Sequence, residues 1–133
     1  MAKNRVFAGN EPAVSLPVPA GVRSGDPVAV GGIIGVAATD RTELAGGKQY
    51  GAPGNPDGYA SVEVDGTWSL SVPDAVAAAG TPIYIVTATR ALTTTAAGNV
   101  LFGHTVPVIQ RGVATGATKG AGAGNVNIRL KTV

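Results

Sequence analysis

The chain has 133 residues, enough for one domain with its own core, and its 20 glycines and 9 prolines leave no helical periodicity intact for three turns. The lack of cysteine excludes disulfides, thiolate metal sites and a cysteine nucleophile, and one histidine with eight carboxylates is a thin inventory for acid–base catalysis. Charged residues make up only 14%, against roughly a quarter in ordinary soluble domains, and residues 75–133 hold five bases and no acid while residues 1–74 hold five bases and all eight acids.

No apolar stretch of signal-peptide type follows Met1-Ala2-Lys3-Asn4-Arg5, and no apolar run approaches the ~18 residues of a membrane helix. Neither a signal peptide nor a membrane association is expected. The C-terminal bases Arg90, Arg111, Lys119, Arg129 and Lys131 make that half a candidate anion-facing surface. They form no dense cluster and no aromatic residues interleave with them, so no nucleic-acid partner is expected.

Residues 1–12 read as an extended N-terminal arm and residues 13–133 as a single β domain. The arm carries Lys3 and Arg5 and has little besides Val6 and Phe7 to bury, too little to offset its own ordering entropy. On a partner it can add as a strand to a sheet edge, with Phe7 in a pocket and Lys3 and Arg5 on acidic groups. Val14, Leu16 and Val18 then alternate with Ser15, Pro17 and Pro19. Prolines at i and i+2 delete donors along one side, which only an edge strand tolerates.

Val28-Ala29-Val30 and Ile33-Ile34-Gly35-Val36-Ala37 flank Gly31-Gly32, a pair suited to a two-residue hairpin turn with Val30 opposite Ile33. Both faces of that hairpin are apolar, so both need cover, from a second layer or another subunit. Residues 41–59 are rich in turn formers and read as a long exposed loop, with Tyr50 and Tyr59 beside it outside any strand, as pins or contact residues. Asp65-Gly66 reads as the bend of a second hairpin that sets Val62 opposite Trp68. Trp68 is a core anchor in this reading.

Asp74 to Gly80 is the one helical candidate. Ile83–Thr87 reads as a buried strand with a short return at Leu92–Thr95. Val100, Phe102, His104 and Val106 are assigned to one strand face, which makes His104 a structural histidine rather than a catalytic one. Residues 110–124 read as a flexible loop, and their Gly120-Ala121-Gly122-Ala123-Gly124 lacks the Lys-Ser/Thr of a phosphate-binding loop. In the last strand Val126, Ile128 and Leu130 point inward, Asn127, Arg129 and Lys131 outward. Asp40, Glu43 and Asp57 do not have EF-hand spacing and read as solvated loop carboxylates. No catalytic, metal-binding or cofactor-binding set is assigned. The fold class is all-β: a small β-sandwich or partly open β-barrel with long Gly/Pro-rich loops.

The order of these pieces is familiar. Ser24-Gly25-Asp26-Pro27-Val28 leading to Gly35-Val36-Ala37, Val62-Glu63-Val64-Asp65-Gly66-Thr67-Trp68, Thr93-Thr94-Thr95-Ala96-Ala97-Gly98-Asn99 leading to Phe102-Gly103, and Val126-Asn127-Ile128-Arg129-Leu130 together resemble a family of bacteriophage capsid decoration, or head cement, proteins. The resemblance spans most of residues 13–131. It implies a non-enzymatic virion protein, made in the host cytoplasm, that binds the outer surface of the assembled capsid and stabilises it. The implied partner is the major capsid protein; on it, the arm residues Lys3, Arg5, Val6 and Phe7 read as docking residues by their own composition, and Tyr50 and Tyr59 as loop contacts. A homo-oligomer is also implied, trimers being common among such proteins. The competing reading is a head-fibre or tail-associated module contacting host-surface carbohydrate.

Overall fold

The computed structural model describes residues 13–44, 51 and 54–131. Among them are eleven strands and no helix: β1 (Ala13–Pro17), β2 (Pro27–Val30), β3 (Ile33–Ala37), β4 (Tyr59–Glu63), β5 (Thr67–Ser71), β6 (Pro82–Ile85), β7 (Leu92–Thr93), β8 (Val100–Thr105), β9 (Val108–Gln110), β10 (Val113–Thr115) and β11 (Asn125–Leu130). A four-stranded sheet runs β1-β4-β3-β2, a five-stranded sheet runs β5-β11-β8-β6-β7, and β9 and β10 form a separate hairpin. The all-β expectation holds.

Turn chemistry placed several elements correctly. β1, with Pro17 at its end, is an edge strand. Val30 faces Ile33 across the Gly31-Gly32 turn, and Gly31 alone of the pair has a positive φ, 59°, as a type II′ turn requires. The apolar faces of this β2–β3 hairpin are both covered within the chain. Ala29, Ile34 and Val36 pack into the core of the five-stranded sheet with Phe102, Ile83, Ile85 and Ile128. Val28 and Ala37, on the other face, pack with Val18, Val22, Ala60 and Val62. Each fully buried side chain of this size contributes about 1.5–3 kcal/mol.

Three expectations are corrected. β4 and β5 do not pair: β4 lies between β1 and β3, whereas β5 pairs with β11. Gly66 does take a positive φ, 98°, but the turn carries the chain from one sheet to the other. Each strand has its apolar side in a different core, Val62 in one and Leu70 in the other, and a shared hairpin would put both in the same one. Trp68 packs partly buried against the larger core, its Nε1 donating to the Asp65 carbonyl at 3.0 Å.

Residues 74–80 form no helix. Asp74 instead accepts from the Thr93 hydroxyl at 2.7 Å, the Thr94 amide at 2.9 Å and the Thr94 hydroxyl at 3.2 Å, and Val76 bridges to Lys119. A side chain that could cap a helix is used to tie down the turn after β7. These bonds hold the Asp74 carboxyl below its ordinary range, the Thr93 hydroxyl contributing most and the Lys119 charge least, with burial opposing them.

The third correction concerns β8. Ile83 faces Gly103 but Tyr84 faces Leu101, so Phe102 is an extra residue, a β-bulge. The bulge shifts the side-chain phase by one. Phe102 is fully buried, while His104 is exposed on the opposite face, not aligned with Phe102 as the alternation suggested.

Candidate docking surface

The β9–β10 hairpin spans part of the 110–124 segment expected to be a flexible loop. Two β-branched triplets, Val108-Ile109-Gln110 and Val113-Ala114-Thr115, pair in register around Arg111-Gly112. Both turn residues have positive φ, 51° and 77°, as a type I′ turn demands. An arginine in this left-handed conformation costs roughly 1–2 kcal/mol relative to glycine. The sequence signal was present as two short β-branched runs about an X-Gly pair, but each run is only three residues long.

One residue of β11 anchors the base of the hairpin. The Val106 amide donates to the Asn127 carbonyl at 3.0 Å, and the Asn127 amide donates to the Gly116 carbonyl at 2.7 Å. The chain thus leaves the five-stranded sheet and returns to it at Asn127. Beyond that anchor both faces are bare of cover: Ile109 is 64% exposed, Val113 58% and Val108 41%. Cross-strand pairing puts Ile109 with Ala114 on one face, and Val113 and Val108 on the other. An apolar element left uncovered on two sides among the described residues is a candidate contact surface.

Beside the hairpin base lies the outward face of the five-stranded sheet. Thr67, Arg129, His104 and Pro82 form one row across β5, β11, β8 and β6. His104, Val106, Arg129, Leu130 and Lys131 line an open depression of about 400 Å³. Among the described residues the ion pairs are Arg23–Asp40 at 3.4 Å and Arg41–Glu43 at 3.6 Å, so Arg111, Arg129 and Lys131 have no carboxylate partner. No acid follows Asp74 in the sequence, so β8 and β11 bring only bases to this face; Asp65, before β5, is the acid at its margin, its carboxylate accepting from the Gly66 amide at 2.7 Å. Lys119 does not add to it: its ammonium donates to the carbonyls of Asp74, Gly120 and Gly122 at 2.9, 2.7 and 2.6 Å.

Lys3, Arg5, Val6, Phe7 and Tyr50 lie outside the described residues. Tyr59 opens β4 opposite Pro17 and is half-buried, so it is a strand residue and not part of the loop. The loop carboxylates have structural uses: Asp40 accepts from the Ser24 amide at 2.8 Å, Asp57 from the Leu44 amide at 2.9 Å, and Glu43 pairs with Arg41. What the arrangement offers is a projecting apolar prong beside a sheet face on which Arg129 and Lys131 have no ion-pair partner among the described residues. A family model described as phage cement protein matches residues 8–130. No curated protein and no solved structure matches the chain.

Proposed function

The chain belongs to the phage cement protein family, and from that premise we propose that it docks on the outer surface of the assembled capsid through the β9–β10 hairpin and the basic row beside it. Its family role is structural: it associates with the phage capsid as part of the virion and stabilises it. The observation that carries the docking reading is the hairpin, whose exposed Ile109, Val113 and Val108 gain nothing in the isolated subunit and gain burial against a partner. Arg111 at its tip, with Arg129 and Lys131 at its base, suits a capsid surface that presents carboxylates.

Stabilisation by this route needs only modest affinity per copy, since many copies on a symmetric shell act together. We infer synthesis in the host cytoplasm, no catalytic role, and a homo-oligomer, with a trimer as one form it can take. The β2–β3 hairpin lends the oligomer no support, because both its apolar faces are already covered within the chain. The arm at residues 1–12, with Lys3, Arg5, Val6 and Phe7, is proposed as an additional capsid contact; residues 1–7 precede the segment that matches the family.

The test is co-sedimentation with purified, closed, bare heads, to which a protein added from outside has access only at the exterior. The wild-type protein is expected to pellet with the heads, and a variant with Ile109→Asp and Val113→Asp to remain in the supernatant with an unchanged melting temperature. Wild-type protein that stays in the supernatant, or a folded double variant that pellets like wild type, rejects this docking surface.

A further inference from the structure

We propose that the free edge of β5 is a second attachment site, one that takes an extended segment of the capsid protein as an added strand. The proposal rests on the capsid-docking reading above and assigns a different part of the molecule to it. β5 is the terminal strand of its sheet, paired only with β11 among the described residues. The Val72 amide donates to the Gly124 carbonyl at 2.9 Å and the Leu130 amide to the Gly66 carbonyl at 3.0 Å. Alternation along an antiparallel ladder then directs residues 66, 68, 70 and 72 toward β11. The N–H and C=O groups of Thr67, Ser69 and Ser71 therefore point to the open side.

That open side is a groove. A cleft of about 530 Å³ is lined by Ser69, Leu70 and Ser71 of β5 on one hand and by Gly25, Asp26 and Pro27, at the edge of the four-stranded sheet, on the other. Leu92 and Arg90 also line it. Backbone donors and acceptors two residues apart, beside buried leucines, are the requirements for accepting an extended peptide. The other edges of the two larger sheets differ. β1 ends in Pro17, with Pro19 beyond it, β2 begins with Pro27, and β7 has two residues. β5 has five residues and no proline or charge, so nothing in it guards against pairing.

Charge identifies the occupant. Arg90 is held at φ 62°, with its guanidinium 3.5 Å from the Ala20 carbonyl and no carboxylate partner among the described residues. Asp26 also lines the cleft, so the matching segment sets a carboxylate against Arg90 and no acid against Asp26. β5 of a second copy has no charge to offer, and it would bring a folded sheet into a cleft already bounded by Gly25–Pro27. A free segment of the capsid protein meets neither obstacle.

The experiment uses the full chain and bare heads. Ser69→Pro with Ser71→Pro removes the outward donors and leaves the β11 ladder intact, and Arg90→Glu reverses the charge. Both variants are expected to bind heads at least tenfold more weakly while melting as wild type does. Hydrogen exchange of the wild-type Ser69 and Ser71 amides is expected to be fast in the free protein and slow on heads, and it decides the matter if the proline variant fails to fold. Exchange that stays fast on heads overturns the groove, and so does wild-type affinity in both folded variants. Slow exchange already in the free protein assigns the edge to a second copy and also overturns it. If the prolines leave binding intact while Ile109→Asp abolishes it, hairpin docking stands and the groove falls. If Ile109→Asp has no effect while docking still slows exchange at Ser69 and Ser71, the hairpin reading falls and the groove stands.

Discussion

Arg129 lies directly across the β8–β11 ladder from His104, on the outward side of the five-stranded sheet. The pair is set there by the Phe102 bulge, which turns His104 away from the core. Arg129 has no carboxylate partner among the described residues, so it is available to an acidic surface.

Replacing Arg129 and Lys131 by Glu is therefore expected to weaken head binding at least tenfold. Wild-type affinity should also fall as salt is raised from about 0.1 M to about 1 M, where the Debye length shrinks from about 10 Å to about 3 Å. His104→Gln should stay within a few-fold of wild type, since the arginine and lysine carry the charge. Sedimentation binding at the two salt concentrations checks this; salt-independent binding removes the electrostatic part of the docking surface.

Gly103 is expected to tolerate no side chain. A Cβ there would run into the carbonyl oxygen of Arg129, which is backbone of the neighbouring strand and cannot swing aside. Gly103→Ala should destabilise by about 1–3 kcal/mol through overpacking, and Phe102→Ala by about 3–5 kcal/mol through the cavity it leaves. Urea unfolding measures both, and a midpoint equal to wild type for Gly103→Ala contradicts the close approach.

Asp74 should make stability depend on acidity. Its carboxyl is held below the ordinary range in the folded chain, mainly by the Thr93 hydroxyl, so its contribution is complete above the unfolded-state value near pH 4 and is lost as pH falls through the folded-state value. Asp74→Asn is expected to lower the melting temperature at neutral pH and to flatten its decline below about pH 4. Parallel melting curves for the two proteins across that window would argue against the assignment.

Deleting residues 2–10 should leave the fold intact, because the first described strand starts at Ala13. Head binding by this deletion is expected to drop if Lys3, Arg5, Val6 and Phe7 add a contact of their own. Unchanged affinity in a deletion that melts like wild type restricts docking to the folded part of the chain.

How much of this was legible depended on the range of the interaction. Gly31-Gly32 between apolar runs, Pro17 in an alternating strand, and the clean alternation of Val126, Ile128 and Leu130 are local signals, and each led to the right element. Asp65-Gly66 is equally local, but its chemistry is the same whether the flanking strands pair with each other or part into two sheets. What separates the cases is which core receives Val62 and which Leu70, and that is fixed by residues far away in sequence. The orientation of His104 was hidden for a related reason: a single extra residue at Phe102 reverses the phase of every side chain after it. The β9–β10 hairpin is masked in the sequence because Gly, Ala and Thr around it dilute two triplets into what resembles a loop. Asp74 looked like a helix cap because its real partners, Thr93 and Thr94, lie about 20 residues downstream.

The β2–β3 hairpin supplies side chains to both cores, Ile34 and Val36 to one, Val28 and Ala37 to the other. A pull that separated the two sheets would have to strip this hairpin out of one core or the other, exposing several buried aliphatic side chains at once. In the proposed arrangement, tension between β9–β10 and the edge of β5 enters the protein through a single sheet, whose strands share it along the β11 ladder. The mechanical weak points are then the attachments themselves, and overloaded subunits are expected to let go of the shell intact before they unravel.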